Sequence, residues 1–376
     1  MQLVHMDNIT PGMAVGEDVP AIEGNIPLVR KGTVLNSDII SLMRKNDVRF
    51  AFISADKTPA RPSEGGSSPP GRIHMPVLKP TISKVLRQEA LSGIEALFAD
   101  ASIGASDVHD STATVLKNID GIVDQLLESL DGQSIVSIMN LKSYDDYTFH
   151  HSLSVAVLSV AIAQQMGFSK EDLQRIGRSA IMHDVGKIAV PIEIINKPSR
   201  LAPDEFSTIK NHSASGHDYL AGAIKDPDVL AGVLHHHERF DGSGYPTGAR
   251  GHDIHLWSRI ISVADVYDAL TSRRAYRNPV APADAIEYLM GSVGKDFDYD
   301  IVESFLKKVD IYPIGCMVQL SNGKTAVVYN NENLLRPVVR ILPTGEILDL
   351  YRDRNCMNIV ITKLLDAESD LPVLAF

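Results

Sequence analysis

His183 and Asp184 stand side by side in the stretch Ile181-Met182-His183-Asp184-Val185-Gly186-Lys187-Ile188. Apolar residues recur with helical spacing before this pair, which predicts a helix that ends there. Neighbouring helical residues point about 100° apart, so the imidazole can bind one metal ion while the carboxylate bridges two. Taken alone, the pair also fits an ordinary helix end that carries an Asp and a partly buried His.

Histidines are concentrated in the middle of the chain. Ten of the thirteen lie between residues 150 and 255, and Asp265 and Asp268 follow soon afterwards. His212 and His237 each come three residues after an apolar helical position, so both imidazoles are expected to face the interior, where polar groups need partners. Mixed nitrogen and carboxylate donors suit iron, manganese or zinc better than calcium, which prefers oxygen alone.

The composition is that of a globular protein with more than one domain. The 376 residues suggest two or three domains, and 44% of them are hydrophobic while 22% are charged. No apolar run approaches the roughly 20 residues that a membrane helix needs. The first seven residues lack the basic and apolar parts of a secretory signal, so we expect a cytoplasmic location.

Charge and cysteine content disfavour several classes of function. A net charge of -11 argues against a long polyanionic partner such as DNA, but it permits a small phosphorylated ligand held by a few local cations. The two cysteines, Cys316 and Cys356, lie far along the chain from the histidines. Their position excludes a Cys-based zinc motif and a disulfide framework.

Changes in composition and period divide the chain into five segments. The predicted fold class is mainly α, with an all-helical domain, a small N-terminal α/β module and a small C-terminal β segment. The boundaries are an accessory module at 1–56, a flexible Pro/Gly/Ser linker at 57–80, a helical connector at 81–134, the main helical domain at 135–310 and the β segment at 311–376.

Helical spacing predicts where apolar faces lie. In the connector, each of two predicted helices carries one apolar stripe, which fits either core packing or a dimerising or regulatory helix. In the main domain, the longest apolar run, Val155 to Ala163, predicts a buried helix. Pro203 is predicted to begin another helix, whose inward residues are Phe206, Ile209 and Leu220.

Four motifs within residues 140–310 resemble, in order, those of the HD-GYP family of bacterial phosphodiesterases. They are His183-Asp184-Val185-Gly186-Lys187, Ile209-Lys210-Asn211-His212, His236-His237-Glu238-Arg239-Phe240-Asp241-Gly242-Ser243-Gly244-Tyr245-Pro246 and Arg259-Ile260-Ile261-Ser262-Val263-Ala264-Asp265-Val266-Tyr267-Asp268-Ala269-Leu270-Thr271-Ser272. The resemblance implies an all-helical catalytic domain with a dinuclear or trinuclear metal centre. It also implies hydrolysis of the second messenger cyclic di-GMP to linear pGpG, with further hydrolysis to GMP left open.

The resemblance also implies a role for each matching residue. The implied metal ligands are His151, His183, Asp184, His212, His236, His237 and Asp265. Asp184 and Lys187 form the implied catalytic pair. The implied substrate-binding residues are Lys187, Tyr245, Asp268, Arg274 and Arg277, of which Lys187 and Arg274 hold phosphates and Arg277 assists them.

Elementary chemistry supports these roles. A phosphodiester is anionic and resists attack by water, so a catalyst must neutralise its oxygens and generate hydroxide at neutral pH. Two metal ions about 3.5 to 4 Å apart do both, through a bridging water of lowered pKa. Lys187 lies one turn beyond His183 if the helix continues, or just off its end if Gly186 breaks it, and its ammonium can stand near the metals in either case.

The expected number of ions rests on a departure from part of the family. In members with three ions, a Glu stands four residues before the first ligand His, whereas this chain has Tyr147 four residues before His151. A neutral phenol is a poor ligand for a divalent ion at pH 7. We therefore expect two divalent transition-metal ions per chain, with iron or manganese favoured.

Other functions and partners stay open at this stage. One alternative is a weakly catalytic sensor or docking module for cyclic di-GMP, and another is a phosphodiesterase for a different cyclic dinucleotide or nucleotide. Expected partners are cyclic di-GMP, a second copy of the chain bound through the connector, and a diguanylate cyclase with a GGDEF domain. DNA and a membrane span are not expected.

Overall fold

The computed structural model comprises two compact units, one formed by Pro80–Ile311 and the other by Met1–Lys79 together with Tyr312–Phe376. The residues that the structure describes are 2–6, 9–16, 19, 28–45, 48, 50–54, 81–103, 109–133, 136, 147–197, 199–272, 279–342 and 344–365. The predicted linker at 57–80 lies outside the described residues. The two units are described separately below.

The N-terminal part of the smaller unit pairs two short strands and carries one helix. Strand β1 (Gln2–His5) runs antiparallel to β2 (Phe50–Ile53). Helix α1 (Ser37–Lys45) begins after Asn36, whose side-chain oxygen accepts a hydrogen bond from the Ile39 N–H at 2.8 Å. Asn36 is therefore the N-cap of α1.

The C-terminal part of this unit is an antiparallel sheet with the strand order β6-β5-β4-β3-β7. Its strands are β3 (Met317–Leu320), β4 (Thr325–Asn330), β5 (Val338–Leu342), β6 (Ile347–Asp349) and β7 (Ile361–Leu365). Gly323 has φ 78° in the turn between β3 and β4, a conformation that glycine adopts without strain. The predicted small β segment is confirmed.

The larger unit is helical throughout its described residues. Its helices are α2 (Lys84–Ile103), α3 (His109–Leu130), α4 (Tyr147–Gln165), α5 (Lys170–Met182), α6 (Ile192–Ile195), α7 (Pro203–Lys210), α8 (His212–Ala221), α9 (Pro227–His235), α10 (Leu256–Thr271), α11 (Pro282–Gly291) and α12 (Tyr299–Lys308). A 3-10 helix at Val185–Ala189 follows α5. None of the described helices is long and apolar enough to cross a bilayer.

Helix α4 is the centre of this unit. It contacts α2, α5, α10 and α12, and Val155 and Ala163 at the ends of its apolar run are both fully buried. A helix that is apolar on all sides is stable only when other helices surround it. The predicted buried helix is confirmed, and it places His151 in the interior of the unit.

The connector helices belong to the same compact unit as the main helical domain. Helices α2 and α3 pack on each other, α3 contacts α5, and α2 contacts the 3-10 helix Val185–Ala189. Ile94, Leu97 and Ile119 from the two apolar stripes are fully buried. These contacts correspond to the core-packing interpretation of the stripes.

The helix predicted to begin at Pro203 is interrupted. Helix α7 ends at Lys210, and α8 begins at His212 after Asn211. Leu220 is buried as predicted, but the prediction for Phe206 is wrong, because its side chain is 49% exposed. The buried face of α8 therefore does not continue to Phe206 on α7.

Candidate metal centre

All seven predicted metal ligands converge in the helical unit. They form two groups in which the potential donor atoms lie within 4.8 Å of one another. The first group is Asp184, His212, His236 and His237, and the second is His151, His183 and Asp265. They come from the first turns of α4, the middle of α10, the start of α8 and the residues that follow α5 and α9.

Helix ends orient three of the imidazoles. The Nδ1 atoms of His183, His212 and His236 each lie 2.6 to 2.7 Å from the backbone carbonyl oxygen three residues earlier. Each carbonyl is among the last four of its helix, where backbone acceptors lack an intrahelical partner. Donation from Nδ1 satisfies this carbonyl and leaves Nε2 with its lone pair facing the cluster.

A carboxylate orients the fourth imidazole. His151 Nδ1 lies 2.8 Å from Asp268 Oδ2, and both side chains are 1% exposed. His151 Nε2 faces the cluster, at 3.1 Å from Asp265 Oδ1. Asp268 also accepts a hydrogen bond from the Ser272 hydroxyl at 3.1 Å. This placement does not support the predicted contact between Asp268 and the substrate, because the buried carboxylate faces His151 and Ser272.

Asp184 lies between the two groups. Its Oδ1 is 3.4 Å from His212 Nε2, while its Oδ2 is 3.4 Å from His183 Nε2 and 3.6 Å from His151 Nε2. One oxygen therefore faces each group. This is the arrangement that a bridging carboxylate requires.

The protonation states of His236 and Asp184 suit metal binding, whereas His151 must release a proton before its Nε2 can bind an ion. Burial lowers the pKa of His236 well below its ordinary value, and the neighbouring His237 and His183 lower it further, so this imidazole is neutral. Burial alone would raise the pKa of Asp184, but Lys187 and the surrounding imidazoles hold it well below the usual range. Burial lowers the pKa of His151, yet hydrogen bonds to Asp265 and Asp268 raise it to about 9.

Two observations test whether the residues fit metal ions. His183 Nε2 and Asp184 Oδ1 are buried and have no hydrogen-bond donor in the described chain, although buried polar atoms normally have a partner. His212 Nε2 and His236 Nε2 lie 3.3 Å apart, and both are acceptors because their Nδ1 atoms donate to carbonyls. Acceptors that face each other at this distance require a shared cation, so the donor set fits metal ions.

Lys187 is held beside the cluster by the 3-10 helix. The helix α5 ends at Met182, so Lys187 lies just off its end, and its ammonium contacts Asp184 Oδ2. A Cβ on Gly186 would lie 2.0 Å from the His212 carbonyl oxygen, so only glycine allows the 3-10 helix to pack this closely on α8. Lys187 is 26% exposed and can reach a ligand from solvent.

The loop after α9 positions Tyr245. The Tyr245 ring lies 4.8 Å from the His237 ring, measured between centroids, and burial raises the pKa of its phenol above the ordinary value. Gly242 has a φ of 83°, a conformation that glycine adopts without strain. Gly244 is required for lack of space, because a Cβ there would lie 2.3 Å from the backbone nitrogen of Arg239. The loop therefore places a neutral, partly exposed tyrosine ring next to a candidate ligand.

Sequence reasoning missed Glu238 as the anchor of this loop. Glu238 is 2% exposed, and its Oε1 accepts hydrogen bonds from the Thr247 N–H and hydroxyl, both at 2.7 Å. A charged residue directly after two inward histidines was the available signal, whereas nothing in the sequence marked Thr247. The predicted phosphate contacts Arg274 and Arg277 lie outside the described residues.

The chain is similar in sequence to known phosphodiesterases. A sequence model of the HD domain matches residues 136–301. The cyclic di-GMP phosphodiesterase PA4108 of Pseudomonas aeruginosa is 32% identical over 330 residues, which cover 83% of this chain and 78% of the relative. The cyclic di-GMP phosphodiesterase response regulator RpfG of Xanthomonas campestris pv. campestris is 40% identical over 149 residues, 39% of each chain.

A third relative is named for a different substrate. The 3'3'-cGAMP-specific phosphodiesterase 1 of Vibrio cholerae is 37% identical over 147 residues, which cover 39% of this chain and 34% of the relative. The chain thus spans most of the first relative and less than half of the other two. Because the first similarity extends along most of both chains and includes the clustered ligands, this chain belongs to the HD-GYP family of metal-dependent phosphodiesterases.

Proposed function

We propose that the protein hydrolyses cyclic di-GMP to linear pGpG with two divalent transition-metal ions, of which iron and manganese are favoured. The observation that carries this proposal is the position of Asp184, which turns one carboxylate oxygen toward each of two ligand groups. Two groups joined by one carboxylate suit the hydrolysis of a phosphodiester. The substrate is inferred from the names of two relatives.

Each ligand group would hold one ion. His151, His183 and Asp265 would bind the first, His212, His236 and His237 the second, and Asp184 both. When bound, the two ions supply the neutralisation of phosphate oxygens and the acidification of a water molecule. Mixed nitrogen and oxygen donors favour iron or manganese over magnesium or calcium.

The chain's own residues would orient and neutralise the substrate. Lys187, next to Asp184 and partly exposed, would donate to a phosphate oxygen and stabilise the charge that develops there. Tyr245, a neutral phenol whose ring lies beside His237, would donate a hydrogen bond to the substrate. Arg274 and Arg277 stay proposed phosphate contacts on the basis of their motif positions. Asp268 would act by orienting His151.

Two alternatives keep specific support. The Vibrio cholerae relative named for 3'3'-cGAMP favours testing a second cyclic dinucleotide. A sensor without turnover is less well supported, because all seven ligands converge within the described residues. The homodimer through residues 81–134 and the contact with a diguanylate cyclase stay predictions from the sequence.

Product chromatography after metal reconstitution tests the proposal. We expect pGpG from cyclic di-GMP in the parent protein, and faster turnover of cyclic di-GMP than of 3'3'-cGAMP. Lys187→Ala should keep its metal content but lose about 100-fold or more in kcat, because the ammonium stabilises charge without binding the ions. Lys170→Ala is the control, since Lys170 is exposed at the opposite end of α5.

Three results would count against this assignment. A protein that binds both ions but forms no pGpG from cyclic di-GMP would contradict the proposed reaction. Faster cleavage of 3'3'-cGAMP would transfer the proposal to that substrate. A Lys187→Ala protein with the parent's kcat would remove Lys187 from the catalytic residues.

A further inference from the structure

Helix α7 carries an exposed aromatic ring next to a cation. Phe206 is 49% exposed, although its apolar side chain would be more stable if buried. The Lys210 ammonium lies 5.2 Å from the centroid of this ring, one helical turn further on. Residues four apart share one face of a helix, so Phe206 and Lys210 form a single surface.

This surface continues to the metal centre. The same Lys210 ammonium lies 5.9 Å from the centroid of the Tyr245 ring, and the Tyr245 ring lies 4.8 Å from the His237 ring. A chain of neighbouring groups therefore leads from a candidate ligand through Tyr245 and Lys210 to Phe206. A ligand with more than one phosphate is long enough to contact the metal centre and these side chains together.

The charge on Lys210 has no acidic partner among the described residues. Two other lysines of this unit do have an acidic partner. Lys187 contacts Asp184, and Lys197 Nζ lies 2.7 Å from Glu205 Oε1. Lys210 is within cation–π distance of two aromatic rings instead. An ammonium with no carboxylate to neutralise it is available for an anion.

A cyclic dinucleotide presents the matching chemistry. Besides the phosphate that is cleaved, it carries a second phosphate and two purine bases. Aromatic side chains bind bases by stacking on their faces, and an adjacent cation binds the phosphate. The surface formed by Phe206 and Lys210 offers both groups on the rim of the metal centre.

We propose that Phe206 and Lys210 form a subsite in which Phe206 stacks on a purine base and Lys210 pairs with the phosphate that is not cleaved. This subsite rests on the proposed function, because it requires a dinucleotide at the metal centre. Stacking does not read the edges of a base, so the subsite accepts guanine and adenine alike. It contributes affinity for dinucleotides and leaves the choice between them to other residues.

The test separates binding from chemistry. Phe206→Leu keeps an apolar side chain but removes the ring, and Lys210→Met keeps the stem but removes the charge. We expect KM for cyclic di-GMP and for 3'3'-cGAMP to rise about tenfold in Phe206→Leu, with kcat within about twofold of the parent. Lys210→Met should raise KM about fivefold and weaken its dependence on salt, and Lys210→Arg should restore both.

Calorimetric titration with pGpG gives a second readout that needs no turnover. Both Phe206→Leu and Lys210→Met should bind pGpG more weakly than the parent, at equal metal content. Tyr299→Leu is the control, since Tyr299 is 62% exposed on α12 and its loss should change neither KM nor pGpG binding.

The outcomes distinguish the subsite from the reaction. Parent values of KM and of pGpG affinity in Phe206→Leu and Lys210→Met overturn the subsite while leaving the proposed function intact. A parent that cleaves no cyclic dinucleotide overturns the proposed function, and the pGpG titration then decides on the subsite by itself. A parent that binds no pGpG overturns the subsite.

Discussion

Asp268 fixes which nitrogen of His151 faces the metal centre. Its carboxylate lies 2.8 Å from His151 Nδ1, so the proton sits on that nitrogen and Nε2 is left to bind a metal. The other imidazoles with Nδ1 bonds use backbone carbonyls for the same purpose. His151 lies near the start of α4, where the backbone carbonyls are already occupied by the helix itself, and it therefore needs a side-chain acceptor.

Asp268→Ala should lower metal affinity about 10- to 100-fold, because the imidazole loses its orienting acceptor. Asp268→Asn is the matched variant, since its amide oxygen can still accept from Nδ1 and should restore most of the affinity. Metal titration of the metal-free protein measures both. Equal affinity in the parent and Asp268→Ala would mean that packing alone orients His151.

Close backbone contact joins the 3-10 helix Val185–Ala189 to α8. A Cβ on Gly186 would lie 2.0 Å from the His212 carbonyl oxygen and 2.4 Å from the Gly216 nitrogen. Backbone atoms cannot move aside as a flexible side chain can. The contact therefore sets the position of Lys187 relative to His212.

Gly186→Ala should destabilise the helical unit by about 1 to 3 kcal/mol and weaken metal binding, because the two elements must separate. Gly121→Ala is the control, since Gly121 lies within α3 and a Cβ there meets nothing within 4 Å. It should leave stability unchanged or raise it by about 0.5 to 1 kcal/mol. Denaturant unfolding gives both values, and a stable Gly186→Ala protein with normal metal affinity would refute this account.

Helical spacing predicted the inward position of His212 correctly and the surface of α7 poorly. His212 is inward as expected, because its position depends only on the few residues around it. Phe206 is exposed although it is apolar, and helix α7 ends at Lys210, an interruption that the apolar pattern did not indicate. Contacts between distant residues, such as Glu238 with Thr247, likewise depend on how the loop closes.

For the whole molecule, the candidate metal centre lies within one of the two compact units. All seven ligands belong to the unit Pro80–Ile311, and so does Trp257, the single tryptophan of the chain. Trp257 is buried on α10, with the Arg175 guanidinium 4.8 Å from its ring centroid. Tryptophan fluorescence therefore reports on the unit that would hold the ions.

Removal of metal with a chelator should lower the melting temperature seen by tryptophan fluorescence. A ligand at 100 times its Kd stabilises the folded state by about 2.7 kcal/mol, and this contribution is lost on chelation. Reloading should restore it with two ions per chain. Asp184→Asn should melt at the same temperature with and without chelator. A parent melting curve that is unchanged by chelator, or a content of three ions, would contradict the two-ion centre.

Helices α5 and α9 have His183 and His236 as their C-caps, so both direct their C-terminal ends at the same point. The aligned peptide dipoles place roughly half a negative charge at the C-terminal end of a helix. Together with Asp184 and Asp265, these ends oppose the positive charges of Lys187 and His151 and would favour cations at the centre. The same carboxylates and helix ends would repel an anionic phosphodiester, so we expect the metal ions to bind first and the nucleotide to follow.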